Sequence, residues 1–192
     1  MFNLVQQLHQ VEAFALSAVE GVRWGPLTVV FVLASAWWVK APLFVAIGAC
    51  GDVRARRSFP LTASAAALSV VAAGAVSMLL KLSFDRARPP ESGIGIEPLV
   101  ATPTDPSFPS GHTLTAFAAA AVVSSFHPRL RWPLYALAAV VGFSRIYLGV
   151  HFWLDVIVGA AVGIAVGLLA ARCAARMAAW RRRPATDIPS RP

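Results

Sequence analysis

Residues 109–126 read PSGHTLTAFAAAAVVSSF, a polar turn that leads directly into an apolar stretch. A proline, a serine and a glycine come first, and such an order is typical of the residues that precede a helix. Residues 113–126 carry no charge and are rich in alanine. Small side chains let helices approach closely in lipid, so this stretch predicts a membrane helix packed tightly against its neighbours. His112 therefore lies at the start of a predicted membrane helix.

The whole chain shares this apolar character. It has 192 residues, of which 57% are hydrophobic and only 14% charged, and its mean hydropathy is +0.65. So few charges cannot cover the surface of a soluble protein of this size. We therefore predict an all-α fold, a polytopic bundle of about five to six transmembrane helices. Residues 1–180 are expected to form this single domain.

The net charge of +8 is better explained by topology than by nucleic-acid binding. The arginines lie in short clusters between apolar stretches and not on a soluble, aromatic-bearing basic surface, so no nucleic-acid partner is expected. The cysteines, Cys50 and Cys173, have no CxxC neighbour and are interpreted as packing residues. Residues 181–192 are predicted to be a basic, disordered cytoplasmic tail.

Two regions leave the path of the chain open. Residues 4–22 repeat apolar positions at helical spacing, but Glu12, Glu20 and the following Arg23 interrupt them, which favours an amphipathic helix at the membrane interface over a tilted span. Residues 27–50 are long enough for one span. Trp37, Lys40 and Pro42 interrupt that stretch, so it is either one broken helix or two short ones.

Further apolar stretches predict spans over residues 59–80, 134–150 and 152–171, in addition to 113–126. The proline-rich segment 83–111 is expected to be a loop, with or without a short helix. Gly159, Gly163 and Gly167 form a stripe at helical spacing. Such a stripe indicates close helix packing, either within the chain or at the face of a homodimer.

Two more polar stretches fall at the ends of these spans, Lys81-x6-Arg88-Pro89 and Ser144-Arg145-x5-His151-x3-Asp155. Together with residues 109–112, they are predicted to lie on one face of the membrane. The connections on the other face are rich in arginine and nearly free of acids. By the positive-inside rule those connections are cytoplasmic, so the polar stretches are expected to face the exterior.

The three stretches contain what is needed to bind a phosphate group. Lys81, Arg88 and Arg145 offer positive charge, and the arginines offer paired donors that match phosphate oxygens. The backbone N–H groups at Ser110 and Gly111 precede a helix, where an anion is well placed. No metal or cofactor is required by this set.

The remaining polar residues supply the means to break a phosphate ester. His151 and Asp155 are four apart, so on a helix they share a face, and the carboxylate can hold one imidazole nitrogen while the other attacks phosphorus. His112 comes from another element and can protonate the leaving oxygen. The predicted intermediate is a phosphohistidine on His151.

In order, spacing and residue types, these stretches resemble the tripartite signature of the type 2 phosphatidic acid phosphatase superfamily. The matching residues are Lys81, Arg88, Pro89, Pro109, Ser110, Gly111, His112, Ser144, Arg145, His151 and Asp155. The resemblance implies a helical membrane core, a metal-independent mechanism and the residue roles given above. It also implies phosphate contacts from Ser110 and Gly111.

The resemblance defines the bond and not the lipid. The chain is similar to undecaprenyl-diphosphate phosphatases of the bacterial cytoplasmic membrane, with the active site facing the periplasm or exterior. Phosphatidylglycerophosphate, phosphatidic acid and lipid A phosphatases are alternatives of the same class. A non-catalytic lipid-binding or scaffold protein is an alternative of another class, which the intact set of His112, His151 and Asp155 argues against.

Overall fold

The structure, a computed structural model, describes residues 2–57 and 59–181. These residues form seven α-helices joined by loops. The helices are α1 (Phe2–Glu20), α2 (Gly25–Ser35), α3 (Trp37–Arg54), α4 (Leu61–Ser83), α5 (Gly111–Phe126), α6 (Arg131–Tyr147) and α7 (Trp153–Arg181). Two short 3₁₀ helices, Pro89–Glu91 and Pro128–Leu130, lie in the connections. The predicted all-α class is confirmed.

Length and apolar composition identify the membrane-crossing helices. Within the described residues, α4 and α7 are each long and apolar enough to cross a membrane. Gln10–Glu20 and α2 qualify together, but they meet at a bend of 120°, as in a broken span or a re-entrant loop. The chain is thus an integral membrane protein, while the expected count of five to six spans stays a prediction.

The region that the sequence left open, residues 27–50, forms two helices. The break lies at Ala36, whose backbone is extended (φ −60°, ψ 122°), and not at Pro42, which lies inside α3. α2 packs on α6, where the ring of Phe31 contacts those of Phe143 and Tyr147. α1 is helical as predicted, and its interfacial position stays a prediction.

The central element is α5, which is buried on nearly every side by α3, α4, α6 and α7. Its run of alanines explains this position, because small side chains permit close contact all around the helix. The glycine stripe of α7 meets it: a Cβ at Gly163 or Gly167 would collide with the backbone of α5. The stripe therefore packs within the chain, and a homodimer stays untested.

One end of the bundle is joined by a buried carboxylate at the end of α3. Asp52 accepts hydrogen bonds from the backbone N–H groups of Thr62 (2.7 Å) and Ala63 (3.1 Å), and from the Thr62 hydroxyl (2.6 Å). It thereby caps the N-terminus of α4. His127 lies at this same end, with Nε2 3.3 Å from the Thr62 hydroxyl.

At the other end, residues 84–110 connect α4 with α5, as predicted, in a loop that includes a 3₁₀ helix. The loop is fixed by backbone hydrogen bonds, from Leu99 to Leu148 (3.0 Å) and from Ser107 to Arg86 (2.8 Å). The predicted tail, residues 181–192, lies outside the described residues except for Arg181, which ends α7.

Candidate active site

A cavity of about 620 Å³ opens where α4 ends and α5 begins. Its polar lining consists mainly of the side chains predicted from the three stretches, with the addition of Lys40 and Asp105. The lining residues that carry charge or an imidazole are Lys40, Lys81, Arg88, Asp105, His112, Arg145 and His151. Four cations face one carboxylate in this part of the described chain, so the cavity is suited to an anion.

Lys81 and Arg88 lie together and share the one acidic group of the lining. The Asp105 carboxylate is 2.8 Å from Lys81 Nζ and 2.9 Å from Arg88 Nη2. Lys81 also donates to the carbonyl oxygen of Pro106. The Lys81 ammonium, followed by the Arg88 guanidinium, keeps the pKa of Asp105 below its usual range despite partial burial. Because Asp105 is 52% exposed, it can move away when another anion takes its place.

Arg145 reaches the cavity from the end of α6 and is 6% exposed. Its Nε has no hydrogen-bond partner, and no described carboxylate forms an ion pair with it. A buried guanidinium without an anion is costly. The Arg145 guanidinium can thus bind an anionic ligand in the cavity.

The imidazole of His151 is 2% exposed and has different neighbours at its two nitrogens. Nε2 lies 3.2 Å from Arg88 Nη1, at the cavity, whereas Nδ1 lies 3.4 Å from both Asp155 Oδ2 and Ser107 Oγ. Burial lowers the pKa of His151 to about 4, with Asp155 opposing that effect. The ring is therefore neutral near pH 7. Asp155 favours the proton on Nδ1, which leaves Nε2 unprotonated, with its lone pair directed at the Arg88 N–H beside the cavity.

Asp155 is fully buried, and each of its oxygens is engaged. Oδ2 accepts hydrogen bonds from the Ser107 hydroxyl (2.5 Å) and the Phe152 backbone N–H (2.9 Å). Oδ1 forms an ion pair with Arg86 Nη1 at 2.7 Å. These donors stabilise the carboxylate as an anion and fix its position beneath His151.

Sequence reasoning missed two of these supporting residues, Arg86 and Ser107. Arg86 also pairs with Glu12 of α1, and its guanidinium lies 4.2 Å from the centre of the Phe152 ring. Both residues lie in the loop 84–110, where nothing in residue spacing indicates which polar side chain turns inward. Folding of the loop over α7 is what brings them to Asp155.

His112, Gly111 and Ser110 occupy the start of α5, but they differ in their access to the cavity. His112 and Gly111 line it. Ser110 is fully buried: its backbone N–H donates to the carbonyl oxygen of Asp155 (3.0 Å), and its hydroxyl accepts from Thr113 (2.9 Å). Of the predicted pair of backbone donors, only Gly111 lines the cavity. The phosphate contact expected from Ser110 therefore stays a prediction.

Ser144 takes no part in the cavity lining. It is fully buried in α6, and its hydroxyl donates to the carbonyl oxygen of Val141 at 2.6 Å. The structure therefore places it as a packing residue in the last turns of the helix.

The fold and the cavity define a class of protein, an integral membrane helical bundle with a cationic, histidine-bearing cavity at one end. The family is shown by comparison. The chain belongs to the PAP2 superfamily, whose family model matches residues 62–178. The matched part includes α5, α6, nearly all of α4 and α7, and every predicted site residue.

Two curated relatives give this assignment detail. An undecaprenyl-diphosphatase of Sulfolobus acidocaldarius is 47% identical over 30% of this chain and 28% of its own length. A lipid A 1-phosphatase of Rhizobium etli is 36% identical over 48% of this chain and 42% of its own. The alignments thus span about a third of the length of the first curated relatives.

A solved structure extends the likeness to the whole fold. The phosphatidylglycerolphosphate phosphatase of Bacillus subtilis superposes with a TM-score of 0.70, covering 93% of this chain and 89% of that one. Its sequence identity is 24%, so this likeness concerns the fold alone.

Proposed function

We propose that this protein is a membrane lipid phosphatase that hydrolyses the terminal phosphate of a polyprenyl diphosphate, such as undecaprenyl diphosphate. The observation that carries the proposal is the position of His151, whose Nε2 faces a cavity lined by cations while Asp155 engages its Nδ1. A neutral imidazole oriented in this way is a nucleophile directed at a bound phosphate.

In the first step, Lys81, Arg88 and Arg145 bind the non-bridging oxygens of the terminal phosphate. Asp105 gives up its ion pairs with Lys81 and Arg88 as the substrate anion enters. The donors gain strength as charge shifts onto these oxygens in the transition state. Gly111 adds a backbone N–H at the start of α5.

In the second step, Nε2 of His151 attacks phosphorus and the bond to the bridging oxygen breaks. The departing oxygen takes the electron pair and receives a proton from His112. The product is a phosphohistidine, and Asp155 stabilises the positive charge that develops on the ring. A water molecule, deprotonated by His112, then cleaves the P–N bond and releases inorganic phosphate and free His151. No metal takes part in these steps.

The choice of substrate is supported by the undecaprenyl-diphosphatase among the relatives, by the apolar walls next to the cations, and by the expected outward orientation. We place the protein in the bacterial cytoplasmic membrane with this cavity facing the exterior. Glycerophospholipid and lipid A phosphates are alternatives, the latter supported by the Rhizobium relative.

The test is phosphate release by the detergent-purified protein in the presence of EDTA. Undecaprenyl diphosphate, phosphatidylglycerophosphate, phosphatidic acid and lipid A are assayed in parallel, with His151→Ala as the matched inactive control. We expect fastest release from undecaprenyl diphosphate, and at least a ~10³-fold loss in the variant, because nucleophile and base act as a unit.

Two results would change the proposal. Preference for another of the lipids would keep the chemistry and replace the substrate. No release from any of them, or equal release by His151→Ala, would overturn the enzymatic proposal and favour a non-catalytic lipid-binding role.

A further inference from the structure

Lys40 is a buried cation that the three stretches do not include. It comes from the first turn of α3, is 5% exposed, and lines the same cavity as His112 and Arg145. A lysine in this position is costly to maintain in a membrane protein unless it meets an anion or serves a function.

The hydrogen bonds of Lys40 leave its charge uncompensated. Nζ donates to the carbonyl oxygen of His112 at 3.1 Å and to the hydroxyl of Thr115 at 3.2 Å. Both acceptors are neutral, and no carboxylate of the described residues lies within ion-pair distance. An ammonium has three donors, so one remains for a ligand in the cavity.

The place of Lys40 relative to the other cations indicates which part of a ligand it would meet. Arg88 is hydrogen-bonded to His151, the proposed nucleophile, and it shares Asp105 with Lys81, which therefore lies near Arg88. Lys40 is instead bonded to the backbone of His112, the proposed acid. It therefore lies beside the residue proposed to protonate the leaving group.

We propose that Lys40 binds the second, lipid-proximal phosphate of a diphosphate substrate and so makes the site selective for diphosphates over monophosphates. The inference rests on the proposed function of the same cavity. When Nε2 of His151 bonds to the terminal phosphorus, the bond to the bridging oxygen breaks and its electron pair stays on the proximal phosphate. That group leaves as a lipid monophosphate, which still carries negative charge on its other oxygens after His112 has protonated the departing oxygen, and the Lys40 ammonium stabilises this charge.

A monophosphate substrate gives Lys40 no comparable partner. Its leaving group is an alcohol, which is neutral once His112 has protonated the oxygen. Lys40 would then contribute to the general field of the cavity but would not contact a developing anion. The charge of Lys40 should accordingly affect the two substrate classes unequally.

The experiment compares farnesyl diphosphate with farnesyl phosphate, which share one lipid and differ in one phosphate. For Lys40→Met we expect kcat/KM to fall about 10- to 100-fold with the diphosphate, the effect of one charge-assisted hydrogen bond, and no more than about threefold with the monophosphate. Lys40→Arg should restore most of the diphosphate activity. Lys81→Met is the matched control, since it should reduce both activities together.

A second measurement keeps this inference separable from the proposed function. Binding of methylene diphosphonate, a non-hydrolysable headgroup, is measured with wild type and Lys40→Met by thermal shift, with inorganic phosphate alongside. We expect the variant to lose diphosphonate binding and keep phosphate binding. If no lipid phosphate is hydrolysed but this binding difference persists, the enzymatic proposal fails and the subsite stands. Equal losses with the two farnesyl substrates, or unchanged diphosphonate binding, would overturn the role of Lys40.

Discussion

His151 shows how a single side chain depends on its surroundings for reactivity. Burial removes the ring from water and favours its neutral form, while Asp155 partly offsets this by attracting a proton. The balance gives a pKa of about 4, well below the ordinary 6.5 of a histidine. Nε2, the nitrogen at the cavity, is thus unprotonated at pH values near neutrality.

This shift predicts the acid limb of the pH profile. Protonation of His151 removes the attacking lone pair, so kcat/KM should fall as pH drops through about 4, and not through 6.5. The profile is measured with farnesyl diphosphate and corrected for the separately determined titration of the substrate. Asp155→Asn removes the carboxylate that raises the pKa of His151, so its residual activity should extend to lower pH.

The same shift fixes the sign of a stability effect. Between pH 6.5 and about 4 the unfolded histidine binds a proton that the folded one rejects, so the free energy of unfolding falls as pH decreases through this window. For the activity profile of the wild type, an acid limb of kcat/KM centred near pH 6.5 would contradict the desolvated position of His151.

At the scale of elements, α1 is connected to the proposed active site through a chain of charged side chains. Glu12 accepts a hydrogen bond from the backbone N–H of Leu154 at 3.1 Å and pairs with Arg86, which in turn holds Asp155. α1 and the start of α7 therefore meet at the carboxylate that orients His151. Arg86 is a positioning residue, because it acts on His151 through Asp155.

We expect Arg86→Met to lower kcat about 10- to 100-fold with little change in KM, since it leaves one oxygen of a buried carboxylate unpaired. Glu12→Gln, which keeps a hydrogen-bonding side chain, should lower kcat less than tenfold. Arg86→Lys should recover part of the lost kcat. The acid limb of the pH profile of Arg86→Met should shift, because loss of the ion pair with Arg86 changes the interaction of Asp155 with His151. A loss confined to protein yield, with kcat unchanged, would show that Arg86 is merely structural.

The elements also show what could be read from the sequence and what could not. Helices α4 to α7 follow from their apolar stretches, and the glycine stripe of α7 correctly indicated close packing. The break at Ala36 was not locatable, because alanine is a good helix former and the tryptophans and Pro42 that follow it are more conspicuous. The residues of the three stretches could be predicted to lie together because their spacing is distinctive, and several of them line the cavity. Arg86, Ser107 and Asp105 could not be predicted, since their roles arise only when the loop folds over α7.

At the scale of the whole molecule, charge is divided between the two ends of the bundle. The cavity, with its cations, lies at the end formed by the loop 84–110. Arginine-bearing connections lie at the other end, between α3 and α4 and between α5 and α6. The Asp52 cap and His127 belong to that second end, which contains none of the proposed site residues. The positive-inside rule then predicts a cytoplasmic arginine end and an exterior cavity.

Cysteine labelling in intact cells tests this orientation. In a background with Cys50 and Cys173 replaced by serine, Glu91→Cys marks the cavity end and Arg129→Cys marks the opposite end; both positions are exposed. We expect a membrane-impermeant maleimide to label Glu91→Cys in intact cells, and Arg129→Cys only after permeabilisation. Because each protein retains its active-site residues, phosphate release in detergent verifies that both are folded. The reverse labelling pattern would place the cavity in the cytoplasm and would overturn the proposed exterior orientation of the site.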